Sequence, residues 1–356
     1  MTSVPGVWGG RTADLIKGLN SNQNISMNIS LSGTNTFQAG KTTVDYAIEP
    51  SGNGSVGIEG YDNPVGALEV LKKSALDSML DLEYQNLFEQ TFANTTRLAI
   101  DNHSQFSAAI AGVSPFSSQF SSNGISKSFE MVAKTIAARQ RLGFKRQTFF
   151  IMFGGWDHHD EVLNSQMKML SVVSKALQEF YTVLGELGMQ NNVTTFTASD
   201  FARTLTSNGQ GSDHAWGGNH MVMGGGVNGG KIYGTYPELH EGNALDTGRG
   251  VLIPTTSCDE YFAELATWFG VDRSELSTVF PNIGRFYDTA SEQLPIGFMA
   301  PSNTPVVDPA TLPNKTYLPT MLGRAGTDSP LLTSLTAATA GMVALRRRRI
   351  NNEEEV

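Results

Sequence analysis

The residues of this chain best equipped for chemistry are acids and histidines, and they fall in three groups. Asp157, His158, His159 and Asp160 directly follow a run of stiff apolar residues. Asp200 stands in "FTASDF", and Asp213, His214 and His220 stand in "GSDHAWGGNH". Four of the six histidines thus lie between positions 158 and 220. Carboxylate oxygen and imidazole nitrogen together suit Zn, Mn or Fe, whereas all-oxygen sets suit Mg or Ca. The competing reading has Asp157 and Asp200 capping loops and the histidines satisfying buried polar groups. Three such groups at one sheet edge weigh toward a divalent metal ion. Along an extended segment positions 157 and 159 point one way and 158 the other, so Asp157 and His159 can reach one ion together. Arg203, one helical turn beyond Asp200, carries the planar fork that clamps a sulfate or phosphate. A structural pairing with a nearby acid is the equal alternative.

These groups need elements to position them. Thr148 to Phe153 is a continuous apolar run, as in a strand buried on both faces of a parallel sheet, and Val193 to Thr197 reads as another strand. Between them Val162 to Leu187 carries Leu163, Met167, Leu170, Leu177, Leu184 and Leu187 at helical spacing. Helix and strand alternating at this spacing predict right-handed crossovers and a doubly wound sheet. Ligands of such sheets collect at the carboxyl ends of the strands, where the first two groups sit. Upstream, Ile25, Met27, Ile29 and Leu31 alternate with polar residues, predicting a strand with one buried face, after a short helix near Thr12 to Leu19. Leu68, Leu71, Leu76, Leu80 and Leu87 predict one long helix or two shorter ones, and Ile125, Phe129, Val132 and Ile136 another that stops by Gly143. Downstream, "HMVMGGGVNGGKIYG" reads as two short strands about a glycine turn, and Ser257 with Glu260 as the capping box of a helix burying Phe262, Leu265 and Trp268.

Composition narrows the function. A net charge of -9 over 356 residues, with no basic stripe in the body, excludes a nucleic-acid partner, which needs clustered Lys and Arg. Small or neutral partners fit better, and an anionic substrate needs a local positive centre such as a metal. Cys258 is the single cysteine, so no internal disulfide forms. The start of the chain has no basic and apolar leader, so either the protein is cytosolic or its beginning is missing. From about residue 291 the chain is rich in Pro, Ser and Thr and reads as a linker without fixed structure. It leads to an apolar stretch, Leu331 to Leu345, shorter than a bilayer span, and four arginines. That end is read either as a membrane-proximal anchor or sorting tail or as a disordered basic terminus.

The segments "GGWDHHDE", "VTTFTASDFARTLTSNGQGSDHAWGGNHMVMGGGVNGGKIYG" and "IPTTSCDEYFAELATWFGV" resemble the DUF1501 family, bacterial proteins related to the sulfatases and alkaline phosphatases. The resemblance runs from about Gly6 to Val271. It implies an α/β fold, a three-layer α/β/α sandwich with a doubly wound, mostly parallel sheet and metal at its carboxyl edge, here incomplete at the N-terminus. Residues 1–290 are read as that domain and 291–356 as linker and tail. The resemblance assigns Asp157 and His159 as ligands, and Asp200 keeps the acid of the superfamily's Asp-His pair. His214 is the later ligand, with Asp213 binding the ion or orienting an imidazole. The family usually has Thr where this chain has His158, and Phe201 replaces the paired His. The Gly-Gly-x-Asp strand end and the Arg-Ser-His-Phe segment at the nucleophile position do not occur, so no catalytic nucleophile is assigned. The expected function is a metal-dependent hydrolase-like domain acting on phosphate or sulfate esters, with Zn, Mn or Fe as cofactor and a small-molecule or carbohydrate ester as substrate. The alternative is a non-catalytic exported or surface scaffold keeping the same fold. Family members are usually exported, which implies an exported or periplasmic protein.

Overall fold

The structure, a computed structural model, describes residues 7–300. The apolar stretch and arginines of the expected tail lie outside the described residues. Residues 7–151 with Lys175–Met189 and Leu265–Ala290 form one compact unit, and Met152–Ser174, Gln190–Glu264 and 291–300 a second.

The first unit carries a parallel sheet. Helix α1 (Trp8–Ile16) is followed by β1 (Asn28–Ser30) and β2 (Tyr46–Ala47), and β3 (Thr148–Phe150) completes the order β2-β1-β3. Ile29 pairs with Tyr46 on one side and Phe149 on the other, both parallel. The chain is therefore α/β with a small parallel sheet. The alternation around Ile29 predicts one wet face; instead Asn28 and Ser30 are buried as fully as their apolar neighbours. Each is hydrogen-bonded. Asn28 Nδ2 donates to the Gln38 carbonyl at 2.9 Å, Thr148 Oγ1 donates to Asn28 Oδ1 at 2.7 Å, and Ser30 Oγ donates to the Gly33 carbonyl at 2.5 Å. Unpaired, each such group would cost about 1–3 kcal/mol.

Helices α2 (Ala67–Leu80) and α3 (Leu87–Ala111) occupy the region read as one or two helices. Their leucines are not core. Leu68, Leu71 and Leu87 are 64%, 66% and 75% exposed, and α2 buries no residue. The reason is that α2 docks by its polar side. Arg97 of α3 reaches Asp77 and Asp81, at 2.8 Å each, and Lys73 lies over the Tyr61 ring. Helix α4 (Gly124–Ala137) follows its periodicity: Asn123 caps it by accepting from the Ser126 N–H, and Ile125, Phe129, Val132 and Ile136 are buried. Phe129 packs on Phe180 of α5 (Val162–Glu186), ring centroids 4.9 Å apart. In α5 the buried apolar residues are Val173, Ala176, Phe180, Val183 and Leu184, whereas Leu163 and Met167 are about half exposed. The core stripe is thus rotated from the leucine stripe at the helix start.

The second unit is built from two antiparallel pairs. β4 (Thr194–Phe196), expected to continue a doubly wound parallel sheet, instead pairs antiparallel with β7 (Val222–Gly224). Between them β5 (Ala202–Ser207) and β6 (Ser212–Ala215) form a hairpin. The glycine run after β7 makes no hairpin of its own. Val227 bridges Met299, the Asn228 N–H donates to the Phe298 carbonyl, and the Ala300 N–H donates to the Gly226 carbonyl. Helix α6 (Cys258–Phe269) opens with the expected reciprocal capping box. The Glu260 N–H donates to Ser257 Oγ at 3.1 Å and the Ser257 N–H to Glu260 Oε2 at 2.9 Å. It buries Leu265, with Ala263 and Ala266, more deeply than Phe262 and Trp268.

Residues 291–300, read from sequence as the start of a linker, are tied down by Glu264. This fully buried side chain accepts from the N–H groups of Ile296, Gly297 and Met299 at 2.8, 2.7 and 2.6 Å, and Phe298 and Met299 are buried. Glu264→Ala is expected to cost at least about 4 kcal/mol, since it removes the acceptor of three hydrogen bonds, each of a kind worth about 1.5–3 kcal/mol. Limited proteolysis should then cut near Ile296 in the variant before the wild type.

Candidate metal centre

The site is assembled where the loop after β3 meets the β5–β6 hairpin. Trp156 anchors the loop: it is buried, donates from Nε1 to the Phe153 carbonyl at 2.7 Å, and makes an edge contact with the Phe153 ring. The hairpin turn, Asn208 to Gly211, holds the next residues. Asn208 Nδ2 donates to the His159 carbonyl at 3.0 Å. A Cβ at position 211 would stand 2.5 Å from the His159 carbonyl carbon and 2.7 Å from the His158 oxygen, so only glycine lets the turn approach so closely. Across the hairpin Arg203 is the register partner of His214.

Three ligand atoms converge there. Asp157, His159 and His214 each offer one donor atom within 4.8 Å of the others, and all three residues are exposed. Asp157 Oδ1 lies 2.7 Å from His214 Nε2 and 3.0 Å from His159 Nε2. The remaining nitrogen of His159, Nδ1, is 3.3 Å from Asp213 Oδ1, and Asp213 Oδ2 is 2.5 Å from Arg249 Nη2. Two rings pack on His214: Phe201 stacks on it at 4.1 Å with planes 8° apart, and the His159 ring lies 5.2 Å away on a 30° tilt. The hydrogen bond from His214 holds the Asp157 carboxyl below the usual carboxylate range, against a smaller opposing push from desolvation. The Arg249 hydrogen bond does the same for Asp213.

His158 faces away from this cluster, as the alternation requires. It is buried against Trp156, its Nε2 has no partner, and burial pushes its pKa down. Asp200, on the bend after β4, is exposed and does not join the convergent group. Asp213, read as binding the ion or orienting an imidazole, stands against His159 Nδ1 instead. Arg203 also departs from the anion-clamp reading. Its side chain has no exposed surface, and it donates to the Ser212 carbonyl at 2.7 Å, the Trp156 carbonyl at 2.5 Å and Asp157 Oδ1 at 3.4 Å. The guanidinium therefore braces loop against hairpin, and burial pushes its pKa down, opposed by Asp157. His220 lies elsewhere, stacked on Tyr261 at 5.8 Å.

Arg249 is the residue that sequence reading missed. It sits between Gly248 and Gly250 with a φ of 60°, a backbone conformation that ordinary residues rarely hold, and its side chain is 62% exposed. Glycines on both sides of a lone arginine were the available signal.

A sequence model of the family described as "Protein of unknown function (DUF1501)" matches residues 31–273. No curated protein and no solved structure matches the chain.

Proposed function

The chain belongs to the DUF1501 family, and since that membership carries no activity we propose from the geometry that Asp157, His159 and His214 hold a divalent metal ion for hydrolysis of phosphate or sulfate esters. The convergence of one carboxylate and two imidazoles within 4.8 Å carries this reading. The donor set fits Zn, Mn or Fe. His159 supports it further, because an Nδ1–H directed at Asp213 leaves Nε2 as the ligand atom, the usual arrangement in which an outer carboxylate orients a metal-binding imidazole. Bound there, a divalent ion supplies Lewis-acid polarisation of an ester oxygen. Asp157 is kept ionised by His214, and Phe201 fixes the plane of the His214 ring. Arg249, exposed beside Asp213, is the group that meets an anionic ester.

The relation to sulfatases and alkaline phosphatases, and with it the three-layer doubly wound sandwich, belongs to the same proposal. The parallel β2-β1-β3 sheet supports it. Export is likewise proposed on family resemblance; among the described residues no helix is long and apolar enough to cross a membrane. A non-catalytic scaffold is the second reading, favoured by the exposed leucines of α2.

Metal content after reconstitution with Zn, Mn and Fe, and hydrolysis of p-nitrophenyl phosphate and sulfate by the same preparation, test the proposal. A protein that retains no metal under any of these conditions sinks it. Arg249→Gly is expected to lower kcat/KM for these esters by about tenfold or more, the loss of one charge-assisted contact. Because glycine accepts the positive φ, the melting temperature should hold or rise.

A further inference from the structure

A second set of chemical groups lies in the first unit, within the loop from β2 to α2 and on α3. Ser55 Oγ is 3.0 Å from His103 Nδ1. The other ring nitrogen, His103 Nε2, is 2.9 Å from Asp62 Oδ2, and Asp62 Oδ1 accepts from Ser104 Oγ at 3.1 Å. We propose that Ser55, His103 and Asp62 form a nucleophilic relay that hydrolyses uncharged carboxylic esters independently of any metal.

The hydrogen bonds assign the protons. A carboxylate only accepts, so the imidazole carries its hydrogen on Nε2, and Nδ1 is left to accept the Ser55 hydroxyl proton. Tyr46, whose hydroxyl is 2.8 Å from Ser55 Oγ, completes the chain as donor. Burial pushes the Tyr46 pKa up, which keeps that hydroxyl protonated. The order nucleophile, base and orienting acid is that of a hydrolase triad, with the imidazole turned so that Nδ1 rather than Nε2 serves as base.

Backbone geometry is fitted to the ring. A Cβ at Gly57 would stand 2.3 Å from His103 Nε2 and 2.6 Å from Cδ2, so the loop can touch the imidazole only through glycine. Gly54, immediately before the nucleophile, has a φ of 81° and would strike Phe106 if it bore a side chain. The N–H groups of Val56 and Gly57 donate to no backbone or side-chain acceptor among the described residues. They are therefore free to meet an oxyanion formed next to Ser55. Val56 and Ile58 expose apolar surface beside the relay, whereas Glu49, Glu59 and Asp62 make its loop acidic. That combination suits a neutral ester with an apolar acyl group and repels an anionic one.

The chemistry balances without a co-reactant other than water. Ser55 Oγ bonds to the ester carbonyl carbon while its proton passes to His103 Nδ1. The carbon–alkoxy bond then breaks and the alcohol leaves with that proton, so the acyl group stays on Ser55. Water attacks the acyl carbon, its proton passing to Nδ1, and Ser55 departs by taking it back, releasing the carboxylic acid. Asp62 steadies the transient imidazolium.

The test uses the full chain with EDTA present, a biotinylated fluorophosphonate and p-nitrophenyl butyrate. Mass spectrometry should place the phosphonyl group on Ser55, and Ser55→Ala should abolish both label and hydrolysis. His103→Gln should slow labelling by at least about a hundredfold, the lower range for a general base. Asp62→Asn, isosteric and on a loop, should slow it at least about tenfold by disturbing the tautomer. A folded wild type without label on Ser55 overturns the proposal. So does a label whose rate is unchanged in His103→Gln at an unchanged melting temperature. Should His103→Gln fail to fold, an unchanged rate in Asp62→Asn overturns it alone.

Discussion

His214→Ala is expected to lower divalent-metal affinity by at least about a hundredfold, beyond the 10–100-fold that loss of an outer-shell partner alone produces. The imidazole is one of the three groups that converge among the described residues and that we propose as ligands, and its Nε2 makes the shortest contact to Asp157. Nearly half of the side chain is exposed, so folding should hardly notice, with a melting shift within about 2 °C, as for a surface substitution worth under about 0.5 kcal/mol. His158→Ala is the control with the opposite signature. It removes a buried ring remote from the ligand atoms and should spare metal while costing about 1–2 kcal/mol for the void it leaves. Equal metal loss in the two variants would place the ligand on the wrong side of the loop. Retention of metal by His214→Ala would remove the site.

His158 and His159 differ in burial because of one residue of register, and that part was legible. Alternation along 157 to 159 separates His158 from its neighbours whatever the tertiary setting. The periodicity of α4 and the Ser257–Glu260 box were legible for the same reason, since each is decided by residues within one or two turns. What failed was partner choice. The β4 stretch reads as a strand, but whether it joins a parallel sheet or pairs antiparallel with β7 depends on residues well downstream. Asn208-Gly209, a strong hairpin signal, marks the β5–β6 turn that sets Asp213 and His214 on a strand opposite Arg203. The leucines of α2 define an apolar stripe, yet a stripe does not say what covers it; Arg97 recruits the opposite, acidic side instead. Asp200 was chosen for following a strand. The acid that the hairpin brings to the far nitrogen of His159 is Asp213.

Arg203 yields the test that best separates scaffold from chemistry. Its guanidinium is wholly enclosed and joins three parts of the site: the Trp156 carbonyl, the Ser212 carbonyl and Asp157. Arg203→Ala removes the Ser212 carbonyl's side-chain donor, leaves the Trp156 carbonyl with the His158 N–H alone and opens a void, which together should cost about 3–5 kcal/mol. At about 4 °C per kcal/mol for a unit of this size, that is roughly a 12–20 °C fall in melting temperature. Arg203→Lys should recover only part of it, because an ammonium cannot donate along the two directions of the planar fork. Loosening the loop also frees Asp157 from its place beside His214, so metal affinity should fall with stability rather than independently of it. A clamp on substrate would behave the other way, with kcat/KM lost and the melt unchanged. Thermal denaturation and metal titration of Arg203→Ala and Arg203→Lys therefore decide between bracing and binding. A shift below about 2 °C, less than about 1 kcal/mol, would return Arg203 to the substrate.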